Sequence, residues 1–290
     1  MIARPICLLV FLLLLHACAE TIPPMQQELS SKTMPMYEGR FSPIQTPLYL
    51  QYRPVAMKLA GQLGIHTNVR DKDEFFSGEL YGRLRVSPEG GSFLWEFQLR
   101  NAVMGEEKLS SAGASLLEFR ARRDKQGVTR EVEIAPVEMR VTSQEERRLF
   151  EEVKVLLRSQ FRSLSAQLPA SPIQEGDLLL EMDMNSALQA YEKLWGSPQC
   201  SPPKEKVGYA ARGLGSFKGR KVVVAVIEED FVCVARNERR YNFGLHGYAL
   251  LDTETGQILE HKAVTTVKPF YSFSSVEVRT LQKVSGEIIE

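Results

Sequence analysis

The chain has 290 residues, of which 36 are Lys or Arg and 36 are Asp or Glu, so its formal net charge at pH 7 is zero. This balance argues against a polyanion-binding surface, and we expect no nucleic-acid partner. Hydrophobic residues make up 43% of the chain and charged residues 25%, a composition typical of a globular protein with one or two domains.

The first residues have the three parts of a secretory signal peptide. Arg4 and the amino terminus supply positive charge, residues 6–15 form an unbroken apolar run, and small residues follow. This run is too short to cross a bilayer as a helix. The sequence therefore predicts export, with residues 1–17 as the signal peptide.

The end of this signal reads Leu15-His16-Ala17-Cys18 and resembles the lipobox of bacterial lipoproteins. The resemblance covers these four residues and the preceding apolar run. It implies that Cys18 becomes a lipid-bearing amino terminus, although His16 stands where the family usually has a small or aliphatic residue. The alternative is cleavage at the small residues Ala17-Cys18-Ala19, which releases a soluble chain beginning at Glu20.

The lipobox resemblance also implies a partner and a location. Acyl chains on Cys18 would hold the protein on a membrane, at about 0.8 kcal/mol per buried methylene. No Asp follows the cysteine as it does in an inner-membrane retention signal, so we expect an outer-membrane lipoprotein that faces the periplasm, with a soluble periplasmic protein as the alternative. Residues 18–47 lack aliphatic periodicity and contain five prolines, which predicts a flexible tether.

Residues 48–141 alternate apolar and polar side chains with period two, which is typical of antiparallel strands. A strand at 79–86 and a turn at 87–91 precede a second strand. On that second strand one face carries four apolar side chains, those of Phe93, Trp95, Phe97 and Leu99. Another hairpin joins 116–122 to 128–134. These residues predict an N-terminal β-meander with one apolar and one charged face.

A helix is predicted next, over residues 142–168. Ser143 and Glu146 have capping-box spacing, and apolar residues then recur at helical spacing up to Leu164. Its apolar stripe is expected to cover the sheet.

Residues 169–290 are predicted to be a second β-rich part. Strands are expected at 177–184, 207–214, 221–227, 231–236, 244–251 and 257–266, with a short helix at 186–195 and a turn at Glu228-Glu229-Asp230. The predicted fold class is therefore mainly β (α+β), with two antiparallel meanders and a covering amphipathic helix between them.

Cys18 is acylated under one processing route and removed under the other, so only Cys200 and Cys233 remain as free thiols in the mature chain. In an oxidising compartment these thiols are candidates for a disulfide, which would stabilise the fold by roughly 3–4 kcal/mol in the chain-entropy model. The alternative is two buried, unpaired thiols, because free cysteine is also common in apolar strands.

The sequence contains no pattern of catalytic or metal-binding residues. His66, His246 and His261 lie in or beside predicted strands without an adjacent motif, so we expect no catalytic residue, metal or cofactor. The Ser-x-x-Lys match at 201–204 has two central prolines, which prevent a helical turn. The glycine-rich segment at 213–219 fits a hairpin turn better than a phosphate loop.

The sequence therefore predicts an exported, lipid-anchored protein of the cell envelope without catalytic activity. We expect it to act as an interaction or hydrophobic-ligand-binding module, with an envelope protein or an apolar ligand as partner. Two alternatives stay open. One is a soluble periplasmic enzyme of unknown reaction, and the other is a structural subunit of an envelope assembly.

Overall fold

A computed structural model describes residues 24–30, 34–53, 55–69, 72–87, 92–104, 107–109, 115–124, 129–136, 151, 168–169, 171–181, 199–200, 207–234, 240–269 and 277–289. Several predictions fall outside these residues. They concern the signal peptide, the lipobox with Cys18, the helix at 142–168 apart from Glu151 and Leu168, the short helix at 186–195 and the segment at 201–204.

The described amino-terminal half contains one helix and seven strands. The helix α1 spans Pro24–Ser30. The strands are β1 Phe41–Ser42, β2 Ala56–Val69, β3 Lys72–Val86, β4 Phe93–Met104, β5 Glu107–Lys108, β6 Ser115–Arg123 and β7 Thr129–Pro136.

The described carboxyl-terminal half contains seven further strands. They are β8 Leu178–Glu181, β9 Gln199–Cys200, β10 Gly208–Phe217, β11 Arg220–Val234, β12 Arg240–Asp252, β13 Ile258–Pro269 and β14 Glu277–Ile289. The mainly β fold class predicted from the sequence is confirmed.

All described strands belong to one antiparallel sheet. Its order is β1-β10-β11-β12-β13-β14-β2-β3-β4-β6-β7, with β5 beside β4, β8 beside β10 and β9 beside β11. The last strand, β14, joins the two predicted meanders because it pairs with β2. In this pairing Glu277 lies opposite Asn68 at one end and Ile289 lies opposite Ala56 at the other. The two β-rich parts are therefore continuous through backbone hydrogen bonds.

The alternation of apolar and polar residues sets which face of each strand is buried. On β4 the side chains of Phe93, Trp95, Phe97 and Leu99 are buried, whereas those between them are partly exposed. With neighbours on β2, β3, β6 and β11 to β13 they form one core, whose members include Met57, Leu63, Leu84, Leu117 and Phe119. A second core lies on the carboxyl-terminal strands and includes Tyr209, Val223, Ala225, Phe243 and Leu251.

The turn predicted at Glu228-Glu229-Asp230 is wrong, because β11 runs through it without a break. Glu228 and Asp230 face solvent while Glu229 between them is buried, so the period of two continues. The Glu228 carboxylate lies 3.7 Å from the Arg212 guanidinium on the neighbouring strand. Glu228 and Asp230 therefore belong to the exposed face of a strand. In the sequence alone, a cluster of acidic residues on such a face looks the same as a cluster in a turn.

Where the structure describes it, the segment predicted as a tether is packed on the sheet. Met25 and Leu29 of α1 are buried in a small cluster with Val264 and Leu281. Glu28 forms ion pairs with Lys262, at 3.5 Å, and with Lys283. These ion pairs and the loss of exposed apolar area fix the helix against the sheet.

Residues 34–53 continue along the sheet. β1 pairs with β10, Leu48 forms an isolated bridge with Ile173, and Leu50 is buried in the core of the carboxyl-terminal strands. The proline-rich composition of this segment is compatible with packing because Leu50 is buried and Ile44 and Leu48 pack, partly buried, against the same core.

Candidate functional site

Two adjoining grooves lie on the polar face of the sheet, opposite the packed apolar face of β2, β3, β4 and β6. The larger groove has a volume of about 750 Å³ and the smaller one about 460 Å³. Both are lined by Ala60, Tyr81 and Ser285, so they form one continuous depression across β14, β2 and β3. The larger groove extends over β4 and β6.

Strand register places the polar side chains of the larger groove in two rows. The first row runs across five strands through Ser285, Ala60, Tyr81, Gln98 and Glu118. The second, which we call the charged row, runs through Glu287, Lys58, Arg83, Glu96 and Arg120. Residues two apart on a strand share a face, so both rows face the same side of the sheet.

The larger groove is basic although the chain as a whole is neutral. Its six basic residues outnumber its three carboxylates by three. The basic residues are Lys58, Arg83, Arg85, Arg100, Arg120 and Lys218.

Three of these cations have partners within the groove. The Arg85 guanidinium lies 3.4 Å from the Glu96 carboxylate. Arg100 donates a hydrogen bond to Gln98 and lies over the Tyr81 ring, 5.5 Å from its centre. Lys218 donates a hydrogen bond of 3.2 Å to the Ser285 hydroxyl.

The other three cations, Lys58, Arg83 and Arg120, have no hydrogen-bond or ion-pair partner in the part of the chain that the structure describes. Lys58 and Arg83 are directly opposite each other on β2 and β3. Like charges at directly opposite positions destabilise a sheet. Lys58, Arg83 and Arg120 each also have a glutamate directly opposite on a neighbouring strand, but among the described residues none of the three forms an ion pair with it.

A tight hairpin turn brings Lys218 to the groove. Lys218 and Gly219 have φ values of 49° and 79°, the left-handed geometry of a two-residue hairpin turn, which glycine adopts without strain. Beside the turn, the Arg220 guanidinium donates to both carboxylate oxygens of Asp252, at 2.9 and 3.0 Å.

Asp252 holds the neighbouring β12–β13 turn as well. Its carboxylate accepts hydrogen bonds from the backbone N–H and the hydroxyl of Thr255. Burial alone raises the pKa of Asp252, but the hydrogen bonds from Arg220 and Thr255 outweigh burial and hold the pKa below its ordinary value. The ionised Asp252 thus fixes the base of the hairpin that carries Lys218.

The three histidines in the described part of the chain lie apart from one another. His66 stacks on Phe75 with ring centres 4.3 Å apart. His246 lies 3.1 Å from the Asp230 carboxylate at the solvent surface. His261 is buried in the sheet. Among the described residues no group of three or more His, Cys, Asp or Glu side chains is placed to hold a metal ion.

The pair of His246 and Asp230 packs closely around a glycine. A Cβ at Gly244 would lie 2.6 Å from the Thr266 hydroxyl and 2.7 Å from an Asp230 carboxylate oxygen. Glycine at this position lets the polar side chains of three strands meet. This cluster lies outside both grooves.

His261 forms a buried hydrogen bond that the sequence did not predict. Its Nε2 atom lies 2.6 Å from the hydroxyl of Tyr209. Burial lowers the pKa of His261 to about 4 and raises that of Tyr209. Both side chains are therefore neutral at pH 7.

The cysteines of the candidate disulfide lie on adjacent strands. Backbone register places Cys200 on β9 directly opposite Cys233 on β11. Cys233 is buried and disulfide-bonded. Its bond to Cys200 stays a prediction that chemical mapping tests.

The groove residues were not recognised as a site in the sequence. A signal was present, because polar and basic residues alternate with apolar ones along β3 and β4. Such alternation is typical of any solvent-facing sheet. This face differs from an ordinary solvent-facing sheet because β14 pairs with β2 and brings Ser285 and Glu287 beside the residues of β2. The alternation in the sequence does not show which strands pair.

No helix in the described ranges is long and apolar enough to span a bilayer. No protein-family model and no curated protein matches the chain.

Comparison with solved structures finds distant similarities at 7% sequence identity. A lipovitellin structure, concerned with lipid–protein interactions, aligns with 83% of this chain at a TM-score of 0.43, and the chain spans 26% of it. A DUF1329 family protein from Desulfovibrio piger aligns with 79% of the chain and 83% of its own length at a TM-score of 0.22. An outer membrane lipoprotein-sorting protein domain from Vibrio parahaemolyticus aligns with 80% and 85%, respectively, at 0.17.

Proposed function

We propose that this chain is an exported, membrane-anchored protein of the cell envelope that binds a ligand without catalysing a reaction. The groove on the polar face of the sheet is the binding site. The observation that carries the proposal is the groove itself, a depression of about 750 Å³ whose floor holds cations without partners. Small-molecule sites are concave and hold a few polar groups that fix the orientation of the ligand.

The groove has the chemistry of a site for a ligand with a polar, charged part. Tyr81 offers an aromatic ring that is 42% exposed, and Ala60 leaves the centre of the floor open. The apolar face beneath is packed, with Leu99 and Leu117 fully buried. We therefore place the polar part of a ligand in the groove, and any apolar part beyond its rim.

The proposed anchor at Cys18 would hold this site close to the membrane. Six residue steps separate Cys18 from Pro24, where α1 begins. A fully extended chain of that length spans at most about 20 Å. Since α1 is packed on β2 and β14 by Met25, Leu29 and Glu28, the sheet would lie near the lipid surface. An outer-membrane protein facing the periplasm is the location we propose.

Ligand binding in the groove is tested by placing a large side chain on its floor. Ala60 is exposed on the floor, so Ala60→Trp adds a large ring there without removing a charge. We expect the wild-type protein from its native host to carry a bound ligand in native mass spectrometry, and Ala60→Trp to lose it. Lys221→Trp, at an exposed strand position outside both grooves, is the control and should retain the ligand. A ligand retained equally by both variants contradicts the proposal.

Anchoring is tested separately by the intact mass and membrane fractionation of the mature protein. We expect acyl mass on wild type and its absence from Cys18→Ala, together with release of that variant from the membrane fraction. A wild-type chain that begins at Glu20 and fractionates as a soluble protein would exclude the anchor.

A further inference from the structure

We propose that Lys58, Arg83 and Arg120 form a phosphate-binding site on the floor of the larger groove, so that its ligand carries a phosphate group. This inference rests on the proposed function and names the chemical class of the ligand. It concerns the charged row defined above.

The first argument is the unfavourable placement of Lys58 and Arg83. These residues are opposite neighbours on β2 and β3, where side chains lie about 4.5–5.5 Å apart at Cβ and like charges repel. Neither has an anionic partner among the described residues. An anion bound between them turns this repulsion into two attractions.

The second argument is that the carboxylates of the groove do not neutralise these cations. Glu96 is ion-paired with Arg85 at 3.4 Å. Glu118 accepts a hydrogen bond of 3.1 Å from Gln98. Glu287 lies directly opposite Lys58 and Glu133 directly opposite Arg120, but neither carboxylate forms an ion pair with that cation within 4.0 Å, so the three cations can still turn to a ligand.

The third argument is the chemistry of the donors. Arg83 and Arg120 lie on the two strands that flank Glu96, two strand spacings or about 10 Å apart, so their long side chains would converge on a ligand above Glu96, whose carboxylate is paired with Arg85. The guanidinium fork matches the oxygen atoms of phosphate, and a lysine adds a flexible point charge. A phosphate group offers several oxygen acceptors at once, which suits three donors drawn from three strands.

Phosphate can come from a lipid headgroup or from a soluble molecule, and two probes distinguish these sources. The first is vesicles of phosphatidylcholine with and without phosphatidylglycerol, measured by flotation. The second is inorganic phosphate, measured by the shift in the thermal midpoint of unfolding. Binding only to the phosphatidylglycerol vesicles assigns a lipid headgroup, whereas a saturable shift with inorganic phosphate assigns a soluble ligand.

The test uses single variants of the complete mature protein. Because a hydrogen bond to a charged group contributes about 1.5–3 kcal/mol, Lys58→Gln, Arg83→Gln and Arg120→Gln should each weaken binding of the effective probe about tenfold or more. Arg122→Gln is the matched control, since Arg122 is exposed on β6 but lies outside the groove, and it should bind as wild type does.

Three results would overturn the inference. In the first, Arg122→Gln weakens binding as much as the groove variants do, which indicates diffuse surface attraction. In the second, the groove variants bind normally. In the third, wild type binds neither probe while Ala60→Trp still abolishes retention of the native ligand. This last result leaves the proposed function intact, whereas an unchanged ligand load in Ala60→Trp rejects the groove as a site altogether.

Discussion

Reduction of the predicted bond between Cys200 and Cys233 is expected to lower the free energy of unfolding by about 3–4 kcal/mol. The bond would close a loop that contains β10 and most of β11, so breaking it restores conformational freedom to that loop in the unfolded chain. β10 carries the hairpin turn with Lys218, and β11 lies at the centre of the carboxyl-terminal strands. Urea denaturation with and without dithiothreitol measures the effect through the shift in midpoint.

Cys200→Ala is the matched control for this prediction. It leaves the buried Cys233 as a small apolar side chain and should unfold at the same urea concentration with or without reductant. Peptide mapping under non-reducing conditions must show the Cys200–Cys233 crosslink in wild type. Two free thiols in the mapped protein, or a reductant effect that persists in Cys200→Ala, would contradict the prediction.

Acid is expected to destabilise the protein through His261. Burial lowers the pKa of this histidine from 6.5 to about 4, whereas in the unfolded chain the pKa returns to about 6.5. Between these values the unfolded state binds the proton and the folded state does not. The stabilisation is therefore complete above about pH 7 and is lost as pH falls to 4, by about 3 kcal/mol.

Protonation of carboxylates such as Asp252 also destabilises the protein in acid. A variant that removes only the titration of His261 is therefore needed. His261→Gln keeps a hydrogen-bonding side chain beside the Tyr209 hydroxyl but does not titrate. The fall in unfolding free energy from pH 7 to pH 4 should be about 3 kcal/mol smaller in this variant. Tyr209→Phe leaves the histidine buried and should retain the wild-type pH dependence. An identical pH profile for wild type and His261→Gln would show that His261 is not the group responsible.

Much of the fold could be predicted from local patterns. On β4 the alternation of Phe93, Trp95 and Phe97 with polar residues gives the strand and its buried face, because a strand half covered by a core must bury every second side chain. On the next strand Leu117 and Phe119 are buried in the same way. Period-two patterns of this kind predicted the strands of both halves.

Contacts between residues distant in the chain could not be predicted in this way. The pairing of Leu281 on β14 with Gly64 on β2 joins residues that are far apart in sequence, and periodicity carries no information about which strand pairs with which. The same limit applies to β9, whose two residues give no strand pattern of their own although they lie beside Cys233. It also explains why the sequence did not decide whether the two β-rich parts form one domain or two.

The candidate site depends on these unpredicted pairings. Lys58, Arg83 and Arg120 occupy ordinary polar positions of three strands in the sequence, and each alone is typical of a solvated surface. The register of β2, β3, β4 and β6 aligns them in the charged row, where Lys58 and Arg83 are direct neighbours and Glu96 separates Arg83 from Arg120. The hydrogen bond from Lys218 in the hairpin turn to Ser285 is a further contact between residues that are distant in the sequence.

Photo-crosslinking from the groove floor in the native host is the most direct test that the groove binds a ligand. A photoreactive amino acid at Ala60 would lie between Tyr81 and Ser285, and the same residue at Lys221 provides the control position. We predict an adduct at Ala60 whose mass spectrum contains a phosphate-bearing ligand, and no such adduct at Lys221. Equal labelling at both positions, or no adduct at Ala60 from a correctly folded protein, would contradict the assignment of this groove as the binding site.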